Sequence, residues 1–501
     1  MTSNTETDAL IARDPATGAE IGRRAPTPIE DVAEAVRHAR AAQARWRTTS
    51  WPERRAALRR AWSTMAGEAE AWAEAITLEV GKPRDEARIE VVTTLDVLRW
   101  LVKHGGRALV DERLPARWQW FMGLRTAKLE WVPYGVVGKL GTWNYPLFLN
   151  APAIAAAVAA GNGLVWKPSE YASELGARIQ HWFDAAGLPD GLVATVFGGP
   201  QVGRALVLAA IDKAMFTGGV EGGRMVLESL ARRGVPAILE LSGFDPAIVL
   251  PDAPREKTAS ALTWSAFVGC GQTCVSVKRV YVVGDAEPWA NDLAERAKAL
   301  RVGDPKTDEA DIGPMISRSA RERFDRVVQE AVHAGAKLLA GGVLPDEGEP
   351  GSFYPPTVLL ARNDRPEGAL SGCFGPVVIV RGVATVDDAL AAANASEYAL
   401  AASVWGRDLV AARAVAERVR AGMVGINDAV TPTAHAAAPF GGQGASGYGR
   451  VHGAAGLREF VQARAVHERS AGGARPQLFP YHGRRLARLL ALYRRLFHPS
   501  H

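Results

Sequence analysis

The stretch that decides the fold reads Gly161-Asn-Gly-Leu-Val-Trp-Lys-Pro-Ser-Glu170. Its apolar run Gly163–Lys167, bounded by glycine and proline, is typical of a short buried strand. A helical pattern follows at residues 173–186, and a second β-rich run follows at residues 193–197. Because a strand, a helix and a strand in this order form a βαβ unit, the stretch predicts a mostly parallel sheet.

The alternation of strands and helices extends over most of the chain. Strands and helices alternate over residues 138–223 and again from residue 236 to about 438. Helical patterns at Ile29–Trp46 and Pro52–Val80 precede this alternation. With 501 residues, of which 48% are hydrophobic, the chain is too long for one compact core. The predicted fold class is therefore α/β, with more than one domain.

Composition argues against several classes of protein. A net charge of +5 over this length does not indicate nucleic-acid binding, and no nucleic-acid-binding motif occurs. The three cysteines, Cys270, Cys274 and Cys373, are too few for a disulfide framework and fit a reducing, cytoplasmic compartment. They lack the second Cys or His pair of a zinc site, so no metal is predicted. The N-terminus shows no signal-peptide pattern, and no window is apolar enough to span a membrane.

Polar groups occur at the ends of two predicted strands. Asn144, within Gly141-Thr-Trp-Asn-Tyr-Pro146, can aim its amide N–H at a developing oxyanion, or it can cap the following helix. Lys167 and Glu170 follow a strand at the edge where open α/β sheets bind ligands. The two side chains suit a phosphate and a ribose diol, or they form a surface ion pair.

Two further motifs suit a bound anion and a general base. The turn Phe216-Thr-Gly-Gly-Val-Glu-Gly-Gly223 opens a helix, whose free N–H groups and positive end suit a pyrophosphate, although it departs from the usual G-x-G-x-x-G pattern. Glu240 ends an apolar strand within Leu239-Glu-Leu-Ser-Gly-Phe-Asp-Pro246. Desolvation there raises a carboxyl pKa toward the general-base range, unless the residue is a salt-bridged structural glutamate.

The thiol of Cys274 is the candidate nucleophile. It lies within Phe267-Val-Gly-Cys-Gly-Gln-Thr-Cys-Val-Ser-Val-Lys-Arg-Val280, between a Gly-Gln-Thr turn and a β-branched run. A cysteine at such a loop-to-strand junction can attack an electrophile, but free cysteine is also among the most buried residue types. Cys270, four residues earlier, is interpreted as packing, with a reversible disulfide to Cys274 as the alternative.

In order and spacing these motifs resemble the aldehyde dehydrogenase superfamily. The resemblance covers roughly residues 10–470 and is of the hydrolytic type that does not acylate coenzyme A. Further segments that match are Glu79-Val-Gly-Lys-Pro83, Asp311-Ile-Gly-Pro-Met315, Cys373-Phe-Gly-Pro376, Asn394–Ser403 and Pro439-Phe-Gly-Gly-Gln-Gly-Ala-Ser-Gly-Tyr-Gly-Arg450.

The resemblance implies an architecture. It places a Rossmann-type NAD-binding domain at residues 1–111 and 134–242 and an α/β catalytic domain at 243–442. A small β oligomerisation flap is expected at residues 112–133 and 458–470, and family members are usually homodimers or homotetramers. Trp118, Trp120, Phe121 and Met122 hint at apolar contacts near that subunit boundary.

The resemblance also implies a reaction, the oxidation of an aldehyde to a carboxylic acid. Cys274 attacks the aldehyde as nucleophile, and Asn144 with the backbone N–H of Cys274 holds the oxyanion of the thiohemiacetal. After hydride passes to the nicotinamide, Glu240 activates the water that hydrolyses the thioester. The presence of Glu240 is the feature that opposes transfer to coenzyme A.

The implied cofactor is NAD. Lys167 and Glu170 match the positions that hold the adenosine ribose, and the carboxylate repels a 2′-phosphate, so NAD is favoured over NADP. The remaining cofactor-binding residues expected by resemblance are Thr142, Trp143, Ser169, Gly198, Phe216, Thr217, Gly218, Gly219, Gly223, Leu241 and Phe374.

Several positions depart from the family pattern, among them Gly219, which replaces the more usual serine so that one side-chain hydroxyl contact is missing. Gly372 stands where the family has a glutamate that grips the nicotinamide ribose, Gly269 replaces an asparagine, and Phe244 replaces a lysine after the base. These departures predict weaker cofactor binding, by about 1–3 kcal/mol for the lost carboxylate contact. They keep a weakly active relative or a non-catalytic binding scaffold open as an alternative function.

The C-terminal tail, residues 471–501, is predicted to be a basic amphipathic helix. One face carries Leu486, Leu489, Leu490, Tyr493, Leu496 and Phe497, and the other carries Arg484, Arg485, Arg488 and Arg495. Such a helix lies on a membrane surface or docks on protein. Superfamily members with such extensions often favour long apolar aldehydes, so an apolar or long-chain aldehyde is expected, with a small charged semialdehyde as the alternative. The predicted location is cytoplasmic, with peripheral membrane contact through the tail.

Overall fold

The computed structural model describes residues 9–115, 124–307, 309–345, 350–362, 365–469, 471, 478–479 and 485–497. The chain forms two compact units. The large unit comprises the chain up to residue 108 and residues 133–460, and the small unit comprises residues 109–132 and the chain from residue 461. Trp118, Trp120, Phe121, Met122 and Arg484 lie outside the described residues.

The helices are α1 (Ile29–Trp46), α2 (Trp51–Gly67), α3 (Ala69–Val80), α4 (Arg84–Ala108), α5 (Ala151–Ala159), α6 (Ser173–Asp184), α7 (Pro200–Leu208), α8 (Val220–Ala231), α9 (Arg255–Phe267), α10 (Glu287–Ala299), α11 (Arg318–His333), α12 (Arg365–Ala369), α13 (Val386–Asn394), α14 (Leu409–Ala416), α15 (Gly453–Arg458) and α16 (Arg485–Phe497). The strands are β1 (Leu10–Arg13), β2 (Glu20–Arg24), β3 (Glu112–Pro115), β4 (Leu124–Pro133), β5 (Val136–Leu140), β6 (Gly163–Lys167), β7 (Val193–Thr195), β8 (Lys213–Gly218), β9 (Ala237–Leu241), β10 (Asp245–Val249), β11 (Val277–Val283), β12 (Lys337–Ala340), β13 (Thr357–Leu360), β14 (Val377–Val383), β15 (Tyr398–Ala399), β16 (Ala401–Trp405), β17 (Met423–Ile426), β18 (Gln443–Gly444), β19 (Gly447–Tyr448) and β20 (Val461–Arg469).

One sheet of the large unit has the strand order β19-β9-β8-β5-β6-β7. All its pairs are parallel except the edge pair of β19 and β9. Every residue of β6 and of β9 is buried, which explains why both read as continuous apolar runs rather than as alternating ones. The predicted strand Gly163–Lys167 and the predicted mostly parallel sheet are thereby confirmed.

A second sheet has the order β12-β13-β14-β11-β10-β16-β17 and carries the largest apolar cluster. Only its edge strand β12 runs antiparallel to its neighbour. The prediction of a single helix over residues 52–80 is wrong. The chain leaves the helical region at Glu68 (φ −111°, ψ 20°), just after Gly67, a poor helix former, so α2 and α3 are separate helices.

The parallel strands bring distant polar residues to one sheet edge. The strands β5, β6, β8 and β9 end at Leu140, Lys167, Gly218 and Leu241. Because neighbouring parallel strands present their carboxyl ends at the same edge, the motifs that follow these strands lie side by side. The predicted division into an NAD-binding domain and a catalytic domain stays a prediction.

The small unit contains a three-stranded sheet in the order β20-β4-β3 and the separate helix α16. The sheet covers much of the predicted flap, and Arg464 binds Glu130 across β20 and β4 (Nε to Oε2, 3.0 Å). In α16 the leucines at 486, 490, 492 and 496 are exposed. Within the described residues, no helix has the length and apolar character needed to cross a membrane.

The buried carboxylate of Glu90 on α4 binds both Lys82, in the loop before this helix, and the turn after β5. Lys82 Nζ lies 2.6 Å from Glu90 Oε2, and the two side chains are only 6% and 0% exposed. The other oxygen of Glu90 accepts hydrogen bonds from the backbone N–H groups of Leu147 and Phe148, at 2.9 and 3.1 Å. Glu90 therefore fixes the segment that follows Asn144.

We expect Glu90→Ala to lower the free energy of unfolding by about 3–5 kcal/mol, because Lys82 is then left buried without its partner. Chemical denaturation measures the loss. The matched control is Asp85→Ala, which breaks an exposed pair with Arg88 on the same helix and is expected to leave stability unchanged. Equal effects of the two substitutions would contradict the anchoring role of Glu90.

Candidate active site

Cys274 lies in the connection between α9 and β11, after a tight backbone turn. Gly269, Cys270 and Gly271 all have left-handed backbone angles (φ 64°, 55° and 63°). Such angles suit glycine but strain Cys270. The backbone N–H of Gly269 donates to the carboxylate of Glu86, at 3.0 and 3.2 Å, so contacts with α4 hold the turn.

The loop that carries the base packs directly on the nucleophile. A Cβ atom at Gly243 would lie 2.3 Å from the carbonyl oxygen of Cys274, so only glycine fits there. This close approach brings Glu240, at the end of β9, near enough to the thiol for each group to shift the pKa of the other. Two residues that are 34 positions apart in sequence thus form one catalytic pair.

Burial sets the protonation of this pair. Burial raises the pKa of Glu240 to about 7, against the hydrogen bond from Cys274 and the charge of Lys139, which lower it. The pKa of the Cys274 thiol is raised, chiefly by burial and then by the negative charges of Glu240 and Asp245. At neutral pH the thiol therefore keeps its proton, and Glu240 is placed to accept it.

Asn144 is held beside the nucleophile turn. Its amide Nδ2 donates to the carbonyl oxygen of Gln272 (3.0 Å), and its Oδ1 accepts a hydrogen bond from the hydroxyl of Thr142 (2.8 Å). The alternative that Asn144 caps the next helix is wrong, because Asn150 occupies the N-cap position of α5. The orientation of the amide is thus set by contacts with both loops.

Cys274 opens on a cavity with a free volume of about 120 Å³ whose lining is mostly apolar. Its aromatic lining residues are Tyr145, Phe148, Trp264 and Phe440. The charged ones are Lys82, Glu86 and Glu90, and no arginine occurs among the described residues of the lining. The sequence did not single out Trp264 or Phe440 because they come from segments far apart in the chain and meet only in the fold.

The predicted ribose-binding residues lie together after β6. Lys167 Nζ contacts Glu170 Oε2 (3.1 Å) and the carbonyl oxygen of Pro168 (3.0 Å), while Ser169 Oγ accepts the N–H of Tyr171 (3.3 Å). The ion pair considered as an alternative is therefore present. It does not exclude a ribose, because the Glu170 side chain is 40% exposed.

The glycine-rich turn leaves the N-terminus of α8 open. Gly219 is its N-cap, and a Cβ atom there would meet no atom within 4 Å. Gly223 allows α8 to pack against β9, because a Cβ there would lie 2.7 Å from the Leu241 side chain. Phe216 packs beneath Gly218, and Gly198 follows β7 with Val202 close by. A helix N-terminus of this kind attracts anions such as a pyrophosphate.

Two of the predicted cofactor-binding residues are aromatic and pack against each other. Trp143 and Phe374 pack at right angles, with their centroids 5.7 Å apart. Gly372 and Phe244, which both depart from the family pattern, lie beside the same residue, Tyr398. A Cβ at Gly372 (φ +71°) would lie 2.5 Å from the hydroxyl oxygen of Tyr398, and the Tyr398 ring packs against Phe244. A glutamate at position 372 does not fit unless Tyr398 moves.

This fold, with a thiol and a base at its sheet edges, is that of an oxidoreductase acting on aldehydes. The chain belongs to the aldehyde dehydrogenase family, whose sequence profile matches residues 2–466. The predicted family, fold class and enzyme class are thereby confirmed. Among the described residues, no group of three or more His, Cys, Asp or Glu side chains is arranged to hold a metal ion.

Named relatives cover nearly the whole chain. A benzaldehyde dehydrogenase [NAD(+)] of Pseudomonas putida is 35% identical over 90% of this chain and 92% of its own length. A protein of Mycolicibacterium smegmatis, provisionally named succinate-semialdehyde dehydrogenase [NADP(+)], is 34% identical over 90% and 87%. The structure of a Mycobacterium tuberculosis aldehyde dehydrogenase complexed with NAD+ is 30% identical, with a TM-score of 0.88 over 94% and 97%.

Proposed function

We propose that this enzyme oxidises an apolar aldehyde, with aromatic aldehydes as the best-fitting class, to the carboxylic acid. The observation that carries the substrate class is the cavity beside Cys274, whose walls include Tyr145, Phe148, Trp264 and Phe440. Burying an aromatic substrate against such walls is favourable through apolar contact and ring packing. The benzaldehyde dehydrogenase among the relatives supports the same class.

A small anionic semialdehyde fits this cavity less well. Its carboxylate needs a cation, yet Lys82 is already paired with Glu90 and lies over the Tyr145 ring. Glu86 adds a further acidic group to the lining, and burial raises its pKa to about 7. An anion brought into this cavity would meet acidic groups and apolar walls without a free cation among the described lining residues.

The proposed chemistry begins with the thiol. Glu240 accepts the proton of Cys274, and Sγ forms a bond to the aldehyde carbon. Asn144 and the backbone N–H of Cys274 then stabilise the oxyanion. When bound, NAD+ supplies the acceptor for the hydride that leaves this carbon. Glu240 first releases the thiol proton to solvent. In the second half of the reaction it takes a proton from the water that hydrolyses the thioester, the acid departs, and this proton returns to the sulfur of Cys274.

NAD is the proposed cofactor because the residues at the first sheet's edge suit it. The open N-terminus at Gly219 suits a pyrophosphate, and the exposed carboxylate of Glu170 suits a ribose diol but repels a 2′-phosphate. Weaker binding of the nicotinamide half is proposed to follow from Gly372.

Assembly through the small unit is proposed as well. The sheet β20-β4-β3 presents largely exposed strands, with all four residues of β3 and six of the nine in β20 exposed. Unpaired, exposed strand edges favour pairing with a second chain. A homodimer or homotetramer formed through this sheet is the proposed state.

We expect Cys274→Ser to abolish aldehyde-dependent NADH formation, because a serine hydroxyl is a much weaker nucleophile than a thiol. Glu240→Gln is expected to slow steady-state turnover by roughly 10²–10⁴-fold through loss of the base. Stopped-flow absorbance and circular dichroism give the rates and confirm folding. Near-normal turnover of the folded serine variant would refute the proposed role of Cys274.

We expect kcat/KM for benzaldehyde and for a medium-chain alkanal to exceed that for succinic semialdehyde by roughly tenfold or more, about 1.4 kcal/mol in transition-state binding. The reason is that the described residues lining the cavity at Cys274 include no free cation. Initial NADH production with the three substrates measures the ratio. A preference for the semialdehyde would contradict the apolar-cavity proposal while leaving the role of Cys274 intact.

We propose that α16 binds anionic membrane surfaces through its exposed leucines and its arginines. The full-length enzyme is expected to float with vesicles that contain phosphatidylserine and to float much less with neutral vesicles. A chain that ends at Arg469 is the control and should remain in the soluble fraction. Equal flotation of the two chains would remove this role for the helix.

A further inference from the structure

A second cavity lies on the side of Glu240 that faces helices rather than the second sheet. Its free volume is about 30 Å³. A single water needs roughly 10–15 Å³ of such space. Met215, Thr217 and Glu240 line it from the sheet, and most other lining residues, from α4, α5, α15 and the loops beside them, are apolar.

Three polar residues of this lining have buried atoms without a partner among the described residues. These atoms are Glu240 Oε1, Thr217 Oγ1 and His452 Nδ1. Glu240 and Thr217 are only 3% and 7% exposed. The ring of His452 bonds the backbone of Thr433, a contact that raises its pKa, so the ring N–H is assigned to Nε2 and Nδ1 is left as an acceptor. Burial nevertheless lowers the pKa of His452 to about 4, so the ring is neutral.

A buried lysine shares this face of the sheet. Lys139 on β5 is paired with Met215 on β8, and Thr217 is paired with Glu240 on β9. Paired residues of parallel strands point to the same face, and so do residues two apart on one strand. Lys139 therefore points to the side of the cavity. It is 0% exposed, and its Nζ has no hydrogen-bonding partner among the described residues.

An isolated ammonium group in such a place is strongly unfavourable unless something compensates it. Lys139 offers donors, Glu240 Oε1 and His452 Nδ1 are acceptors, and the Thr217 hydroxyl can act as either. A buried water typically makes about three hydrogen bonds to groups of this kind. A water molecule in this place can therefore accept a hydrogen bond from Lys139 and donate to Glu240 Oε1 and His452 Nδ1.

We propose that Lys139, Thr217, Glu240 and His452 form a buried water-binding site through which Lys139 keeps the base Glu240 ionised. Lys139 is thus a positioning residue that acts through Glu240, and the proposal rests on the proposed role of Glu240 as the base. The water is held where Glu240 lines the cavity between the sheet and the helices.

The charges around Glu240 agree with this arrangement. The groups that face it are the thiol of Cys274, the carboxyl group of Asp245, Lys139 and the neutral ring of His452. Burial raises the pKa of Glu240 to about 7 while Lys139 lowers it, and burial lowers the pKa of Lys139 to about 7 while Glu240 raises it. Removing the lysine charge must raise the pKa of Glu240 further, so the ionised base appears only at higher pH.

The test is Lys139→Met, with Lys213→Met as the matched control. Lys213 is likewise a buried lysine of this sheet, but its Nζ is paired with Glu459 at 2.9 Å. In Lys139→Met, the pH at which steady-state turnover becomes half-maximal is expected to rise by about one unit, the low end of the effect of a neighbouring charge. The control is expected to keep the wild-type pH profile. An unshifted profile for Lys139→Met overturns the proposal.

A second readout needs neither NAD nor aldehyde. The rate of Cys274 alkylation by iodoacetamide is measured against pH, and the inflection that Glu240→Gln abolishes is assigned to Glu240. This inflection is expected to move to higher pH in Lys139→Met and to stay in place in Lys213→Met. If the wild-type protein oxidises no aldehyde, the proposed function fails. The shift of this inflection in Lys139→Met still tests whether Lys139 acts on Glu240 through the water site.

Thermal unfolding separates this role from a structural one. Lys139→Met removes a buried charge that has no direct hydrogen-bonding partner among the described residues, and it is expected to keep or raise the Tm. Lys213→Met leaves Glu459 without its partner and is expected to lower the Tm. At His452 (φ +63°), asparagine tolerates the left-handed backbone and keeps an acceptor. His452→Asn is expected to retain the wild-type inflection and His452→Leu to raise it. The reverse order of the two histidine variants overturns the part assigned to His452.

Discussion

The close approach of Glu240 to the Cys274 thiol is the contact on which the rest of the site depends. It joins the end of a strand in one sheet to the loop before a strand in the other, so it forms only when both sheets pack correctly. A carboxyl group that is 3% exposed is costly to ionise, and this cost brings its pKa to about 7. The neighbouring features either permit this close contact or reduce its cost.

Two backbone features permit the contact. Gly243 lets the loop after β9 approach the carbonyl oxygen of Cys274, where any side chain would collide. The left-handed turn at 269–271 directs the chain into the site, and the strain at Cys270 is held by the surrounding buried core. The thiol of Cys270 is itself buried, which agrees with its interpretation as packing.

The departures from the family pattern have local physical explanations. Gly372 and Phe244 both contact Tyr398, so the loss of a glutamate and of a lysine forms one repacked region rather than two independent defects. The Arg279 guanidinium lies over the Phe244 ring, 4.6 Å from its centroid. An apolar and cationic stack thus fills the place where the family pattern has a lysine.

Local pattern alone determined the strands Gly163–Lys167 and Ala237–Leu241, because a fully buried parallel strand must be a short continuous apolar run. It also placed Asn144, Lys167, Glu170, Glu240 and Cys274 in family order. Local pattern did not predict the break between α2 and α3 at Glu68, because helical periodicity continues on both sides of the break. Only the tertiary structure brought Trp264 and Phe440 to the thiol, Tyr398 to Gly372, and Lys139 and His452 to Glu240. These contacts arise from sheet register and helix packing between segments far apart in the chain, and neither leaves a periodic signal at the residues that meet.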